Sequence, residues 1–167
     1  MNLLKANDEE NALENNLFED RSKFKYMVFL LGGEAYGVPL LQVREVIENR
    51  PAKPVPNSLS AFEGVINLRG DVIGILDLRR VLGIEPKQSL SILVFDTEQG
   101  VMGAIVDRCT MVTEIPDKDV DRKSNVGHDG LGYFLGIGKK DGALITLLDL
   151  QRVAASFGNK AAIVEKS

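Results

Sequence analysis

The sequence predicts an all-β protein built as two small barrels, and three observations carry that prediction. First, GVINLRGDVIGILDLRRV, from Gly64 to Val81, returns as GIGKKDGALITLLDLQRV at an offset of 72 residues (136 − 64). Gly64 falls on Gly136, Gly70 on Gly142, Leu76 on Leu148, Asp77-Leu78 on Asp149-Leu150 and Arg80-Val81 on Arg152-Val153. Second, SILVFDTEQGVMGAIVDRCTMVTEI repeats the Phe24 region at an offset of 66 (94 − 28), with Val28-Phe29 on Val94-Phe95, Tyr36-Gly37 on Met102-Gly103 and Val46 on Val112. Third, each copy holds about five short apolar stretches bounded by turn residues, with hardly any helix, and sets of this size commonly close into barrels. A single sandwich of about ten strands fits the same count. The barrels are preferred because each copy carries its own strands and its own helix cap.

The totals agree with a folded domain of this kind. The chain has 167 residues, of which 44% are hydrophobic, enough apolar surface for a core. Charged residues make up 26% with a net charge of -4, so no concentrated basic surface for nucleic acid is expected. One cysteine cannot close an internal disulfide. No apolar run approaches the roughly 18 residues of a membrane span, and the leader MNLLKANDEENALENN lacks a secretory pattern, so the cytoplasm is the expected location.

In chain order, residues 1–23 are rich in Asn and Glu and are expected to be a flexible tail, although Leu13, Leu17 and Phe18 are spaced for a weak amphipathic helix. The body runs over residues 24–157, with copies centred on about 24–83 and 89–157. KYMVFLLGGEAYGVPL reads as a hairpin turning at Gly32-Gly33. Pro39 opens one helical turn, and VREVI resumes a strand with Val43, Glu45 and Ile47 on one face. The three prolines of PAKPVP make Pro51 to Pro56 an extended connection, and Ser58 is placed to cap a single turn through Phe62. A hairpin follows, turning at Arg69-Gly70-Asp71. Asp77 then reads as the N-cap of a short helix that Gly83 ends. In the second copy, Pro116 to Tyr133 is longer, polar and glycine-rich, the best candidate for a mobile loop. Asp149 caps a second helix to about Phe157, and residues 158–167 form a C-terminal tail.

Little here suggests catalysis. Cys109, in IVDRCTMV, reads as a packed thiol, and His128, the single histidine, as a polar loop residue. The residue types for a zinc site are missing without recruiting carboxylates, so neither metal nor cofactor is expected. Asp77 and Asp149 form a pair by repetition, which is what capping requires of each copy, rather than an acid/base pair. Gly70 and Gly142 are turn glycines, and no phosphate-binding loop is present. Arg69 is different. Its counterpart is Asp141, so the turn demands the glycine but not the cation, and an exposed turn arginine and a recognition residue both remain open. Glu45 falls on Met111 and is likewise particular to the first copy. Their joint absence from the second copy predicts that they pair.

FKYMVFLLGGEAYGVPLLQVREVIE, VPNSLSAFEGVINLRGDVIGILDLRRVLG, VMGAIVDRCTMV and FLGIGKKDGALITLLDLQRV together resemble the CheW coupling proteins of bacterial chemotaxis, over about Phe24 to Val153. The resemblance implies two intertwined five-stranded SH3-like barrels with short helices and a C-terminal helix. It implies a scaffold without enzymatic activity, located at receptor arrays near the inner membrane and monomeric outside them. Two partners are implied: the regulatory domain of the chemotaxis histidine kinase CheA, and the cytoplasmic tip of chemoreceptors, the methyl-accepting chemotaxis proteins. Neither nucleic acid nor membrane insertion is implied. By the same resemblance Val43, Glu45, Arg69 and Val112 are receptor-binding positions, and kinase contact belongs mainly to the second barrel. An adaptor of a type IV pilus or other non-flagellar chemosensory system fits the same residues. A small-ligand-binding or enzymatic β-barrel is a distant alternative, recognisable by a deep pocket lined by His128 and carboxylates. A fragment of a kinase is disfavoured because the chain ends soon after its second capped helix.

Overall fold

A computed structural model describes residues 24–123 and 132–165, with side chains described as far as Phe157. The leader at 1–23, the tail side chains and His128 lie outside the described residues. The first copy contains β1 (Lys25–Leu31), β2 (Glu34–Pro39), a 3-10 turn at Leu40–Gln42, β3 (Glu45–Glu48), β4 (Phe62–Leu68), β5 (Asp71–Asp77) and α1 (Leu78–Leu82). The second contains β6 (Ser91–Thr97), β7 (Gly100–Val106), β8 (Arg108–Glu114), a 3-10 turn at Asp117–Asp119, β9 (Val120–Asp121), β10 (Phe134–Lys140), β11 (Ala143–Leu148) and α2 (Leu150–Glu165). The protein is all-β in its body, as the spacing of turn signals predicts. The backbone of α2 continues beyond Phe157, where the sequence reading ends it; Gly158 lies within the helix instead of stopping it.

The repeated glycines have a common cause. At Gly64 (φ 141°) and Gly136 (φ 146°) a Cβ would collide with the backbone of Lys53 and Asp121 respectively, because a neighbouring segment passes directly over the strand. The register of β4 on β5 and of β10 on β11 shifts at these same points, bending each hairpin around its core.

The strands of the two copies are exchanged. A six-stranded sheet has the order β8-β1-β2-β11-β10-β9, and a five-stranded sheet the order β3-β6-β7-β5-β4. The opening hairpin of each copy joins the closing hairpin of the other, through the parallel pairs β2 with β11 and β5 with β7. The barrels are therefore intertwined, and neither corresponds to the continuous stretch 24–83 or 89–157. The difference has a plain reason: alternation predicts which neighbours form a hairpin, but in a duplicated chain either hairpin matches the open edge of either copy.

Each barrel has an apolar interior, and a larger cluster lies between them. Ile66, Ile73, Ile75, Ile92 and Ile105 fill the five-stranded barrel. Val28, Ile115, Ile145 and Leu147 fill the other. Phe29, Leu31, Leu76, Leu78, Leu93, Phe95, Leu148 and Leu150 form the shared cluster, drawn from both sheets and both helix starts.

One buried polar group accompanies this shared core. Arg79, 1% exposed, lies between Asp77 and Asp107, which are 3% and 2% exposed. Its Nε donates to Asp77 Oδ1 at 2.8 Å and its Nη1 to Asp107 Oδ1 at 2.8 Å. Nη2 donates to Asp77 Oδ2 at 3.1 Å and to Ser89 Oγ at 2.8 Å, and Nη1 also reaches the Gln88 carbonyl. Asp107 in turn accepts from the amide of Gly33 at 3.2 Å, and its own amide donates to the Leu30 carbonyl at 3.0 Å. One guanidinium thus connects β5 and α1 to the β1–β2 turn of the opposite sheet. Arg79→Ala leaves two carboxylates buried without their cation and is expected to cost about 3–5 kcal/mol, measured by chemical denaturation. The neighbouring Arg80→Ala, whose side chain is 51% exposed, should cost no more than about 1 kcal/mol.

Candidate functional site

The turn between β4 and β5 places Arg69 and Gly70 in the left-handed region, at φ 51° and 90°, as its twin places Asp141 and Gly142, at φ 49° and 78°. A two-residue hairpin loop of this kind favours Asn, Asp or Gly at its first position, because a short polar side chain tolerates positive φ. Asp141 meets that preference. Arg69 does not, so the backbone holds a long cation in a conformation costing of order 1 kcal/mol.

That arginine is anchored at its far end. Its Nη1 and Nη2 donate to Glu45 Oε1 and Oε2, both at 2.6 Å, a two-pronged pair across from the turn to β3. The Arg69 side chain is 69% exposed and Glu45 25%, so the guanidinium faces solvent over a carboxylate that rests on the protein. The hydrogen bonds from Arg69 hold the Glu45 carboxyl below its ordinary value, with the fields of Arg69, Arg44 and Arg50 acting in the same direction. The reciprocal bonds raise Arg69. The pairing expected from the two copies is present.

Val43 precedes this strand and is half-buried against the shared core, on the same face as Glu45 and Ile47. Val112 lies elsewhere, on β8 at the edge of the six-stranded sheet, opposite Met27, and is 48% exposed beside Met111 at 57%. Arg69 and Glu45 are therefore brought into contact and Val43 lies two residues before Glu45, in the segment leading into β3, whereas Val112 is exposed on the other sheet.

The two capping aspartates differ. Asp77 Oδ1 accepts from the Arg79 amide at 3.0 Å, and Gly83 closes α1 at φ 71°. Asp149 Oδ1 accepts from the amides of Gln151 at 2.9 Å and Arg152 at 3.4 Å. Asp77 is also half of the buried ion cluster, a role that capping alone does not predict. Sequence reasoning misses Arg79 although a signal exists: its counterpart in the second copy is Gln151, the same kind of departure that singles out Arg69.

Chemical candidates are weak. Burial pushes the Cys109 thiol up to about 11, partly offset by a hydrogen bond with Ser91, so it stays protonated near neutrality and is a poor nucleophile. Among the described residues no group of His, Cys, Asp and Glu is placed to hold a metal ion. An open depression between the β6–β7 turn and α2 is lined by Thr97, Glu98, Gln99, Gln151, Ala154 and Ala155, with no convergent acid, base or nucleophile.

The model of the CheW-like domain matches residues 25–157. This chain belongs to the CheW-like family. A "Chemotaxis protein CheW" of Thermotoga maritima is 33% identical over 133 residues, covering 78% of this chain and 87% of that protein. One from Rhizobium meliloti is 31% identical over 140 residues, covering 81% and 90%. Among solved structures, the scaffolding protein TtCheW from Thermoanaerobacter tengcongensis superposes with a TM-score of 0.71 at 29% identity, covering 77% of this chain and 86% of that one. The twin turn at Asp141 adopts the same backbone, so the hairpin itself does not require Arg69 or its pairing with Glu45.

Arg69→Asn gives the turn a residue suited to positive φ while removing the cation. Its Tm should be unchanged or higher than that of the wild type, and the Glu45 carboxyl should titrate nearer its ordinary value by NMR. The sign follows from the depressed folded value. The pair's contribution is present above the unfolded glutamate pKa and is lost as pH falls through the folded one, so acid should weaken the wild type more than the variant.

Proposed function

We propose that this chain is a non-enzymatic adaptor of the cytoplasm that couples chemoreceptors to the chemotaxis histidine kinase CheA within signalling arrays. The observation that carries the reading is Arg69. A CheW-like scaffold holds a cation on an unfavourable backbone, aims it with a two-pronged carboxylate contact, and leaves it open to solvent. Structure maintained against local preference in this way is the mark of a recognition residue.

The partner that suits it is helical. A receptor tip laid between the two sheets meets apolar contact from Val43 and Val112, with Arg69 and Glu45 at the polar rim. Glu45 keeps the guanidinium oriented before binding, so less side-chain freedom is lost when a carboxylate or carbonyl of the partner arrives. The regulatory domain of CheA binds elsewhere, mainly on the second barrel, which lets one adaptor hold both proteins at once. Individually weak contacts then add up through multiplicity.

Purified receptor cytoplasmic fragment and CheA regulatory domain, titrated separately by calorimetry, test the reading. The wild type should bind both, and Arg69→Glu should weaken receptor binding by tenfold or more, about 1.4 kcal/mol, with the CheA affinity retained. Failure of the wild type to bind either partner at tens of micromolar, about 6 kcal/mol of association, overturns it.

A further inference from the structure

Val43 lies between two side chains that both reach into the second copy. On one side, Gln42, in the 3-10 turn that follows Pro39, makes a matched pair of hydrogen bonds with the start of α2. Its Nε2 donates to Asp149 Oδ1 at 2.9 Å, and its Oε1 accepts from the Leu150 amide at 2.9 Å. On the other side, the Arg44 amide donates to the Val94 carbonyl at 2.8 Å and its Nη1 to Asp96 Oδ1 at 3.2 Å. The ring closes because Gln151 Nε2, on the first turn of α2, donates to the Asp96 carbonyl at 2.6 Å. The segment leading into β3 is thus tied to α2 and to β6, both of the second copy.

The two members of this ring differ in strength. Arg44 and Asp96 are 55% and 67% exposed, and such pairs contribute little. The Gln42 bonds are partly buried and one of them accepts from a helix N-terminal amide, a donor with no partner inside the helix. The two capped helices are also held differently. In the first copy a buried arginine grips the capping carboxylate, whereas in the second the amide of Gln42 reaches it from across the molecule, beside the exposed Arg152. That joint fixes the position of Val43 and, two residues on, of Glu45.

We propose that Gln42 is a positioning residue for receptor recognition: its amide ties the strand bearing Val43 and Glu45 to the N-terminus of α2, so the shape of the receptor surface depends on the second copy's helix. The inference rests on the receptor-adaptor reading above. Gln42 itself contacts no receptor; it acts through the register of β3 on β6 and the resulting place of Glu45 under Arg69.

The test measures receptor-fragment and CheA regulatory-domain affinities of the full chain for Gln42→Ala and Gln42→Glu. Gln42→Ala should weaken receptor binding about tenfold with CheA affinity within about twofold of wild type, as expected for the loss of two partly buried hydrogen bonds that serve one site. Gln42→Glu should be worse, because it sets a second carboxylate against Asp149. A destabilised variant in the interior of the six-stranded barrel, Ile145→Val, should leave receptor affinity unchanged, which separates positioning from a general loss of stability. Receptor affinity of Gln42→Ala within twofold of wild type overturns the proposal, as does a Gln42→Glu affinity no weaker than that of Gln42→Ala. A wild-type chain that binds no receptor fragment at all overturns instead the reading on which the proposal rests.

Discussion

The guanidinium of Arg79, enclosed by two carboxylates in the core, is the constraint on which the arrangement of the sheets depends. Burying a cation is unfavourable unless its charge and its donors are matched, and here Asp77, Asp107, Ser89 and the Gln88 carbonyl match them. The apolar cluster between the barrels could tolerate some sliding, because hydrophobic contact is not directional. The ion cluster cannot. It requires the end of β5, the segment after β7 and the β1–β2 turn to meet at one point, and those belong to both sheets. Strand exchange makes the two barrels one unit, and Arg79 fixes how they register.

Duplication explains what the copies share, and the departures from it locate what is particular to the first copy. Gly64 and Gly136 permit a crossing segment, Gly70 and Gly142 permit a tight turn, and Asp77 and Asp149 cap helices. Against that common frame stand Arg79 opposite Gln151, Arg69 opposite Asp141 and Glu45 opposite Met111. The first of these is internal and fixes the scaffold. The other two meet at the surface, where the β4–β5 turn holds Arg69 in the left-handed region and its guanidinium pairs with Glu45. One repeated unit thus supplies two similar barrels with unlike faces.

The hairpins, the turn glycines, both caps, the packed Cys109 and the Arg69–Glu45 pair were legible in the sequence because each is a local pattern or a comparison between copies. The exchange of hairpins was not legible from alternation, which describes one strand's faces and is silent about which equivalent edge it joins; only the resemblance to a family of intertwined barrels implied it. Arg79 escaped notice because it stands beside Arg80 in a short helix, where two adjacent cations look alike although one is buried and the other half in solvent. Gln42 gave no sign at all, since its partners are more than 100 residues away, at separations of 107 and 108. The C-terminal helix outran its expected end because Gly158 weakens a helix without forbidding it.

The proposed receptor recognition by the first-copy departures, and not by the duplicated frame, determines where binding should protect the chain. Amide hydrogen exchange of the chain, free and saturated with receptor fragment, tests this directly. Added protection is predicted in β3 and at the Arg69-Gly70 turn, with the twin turn at Asp141-Gly142 unchanged. Equal protection of both turns, or protection of the second alone, would contradict it.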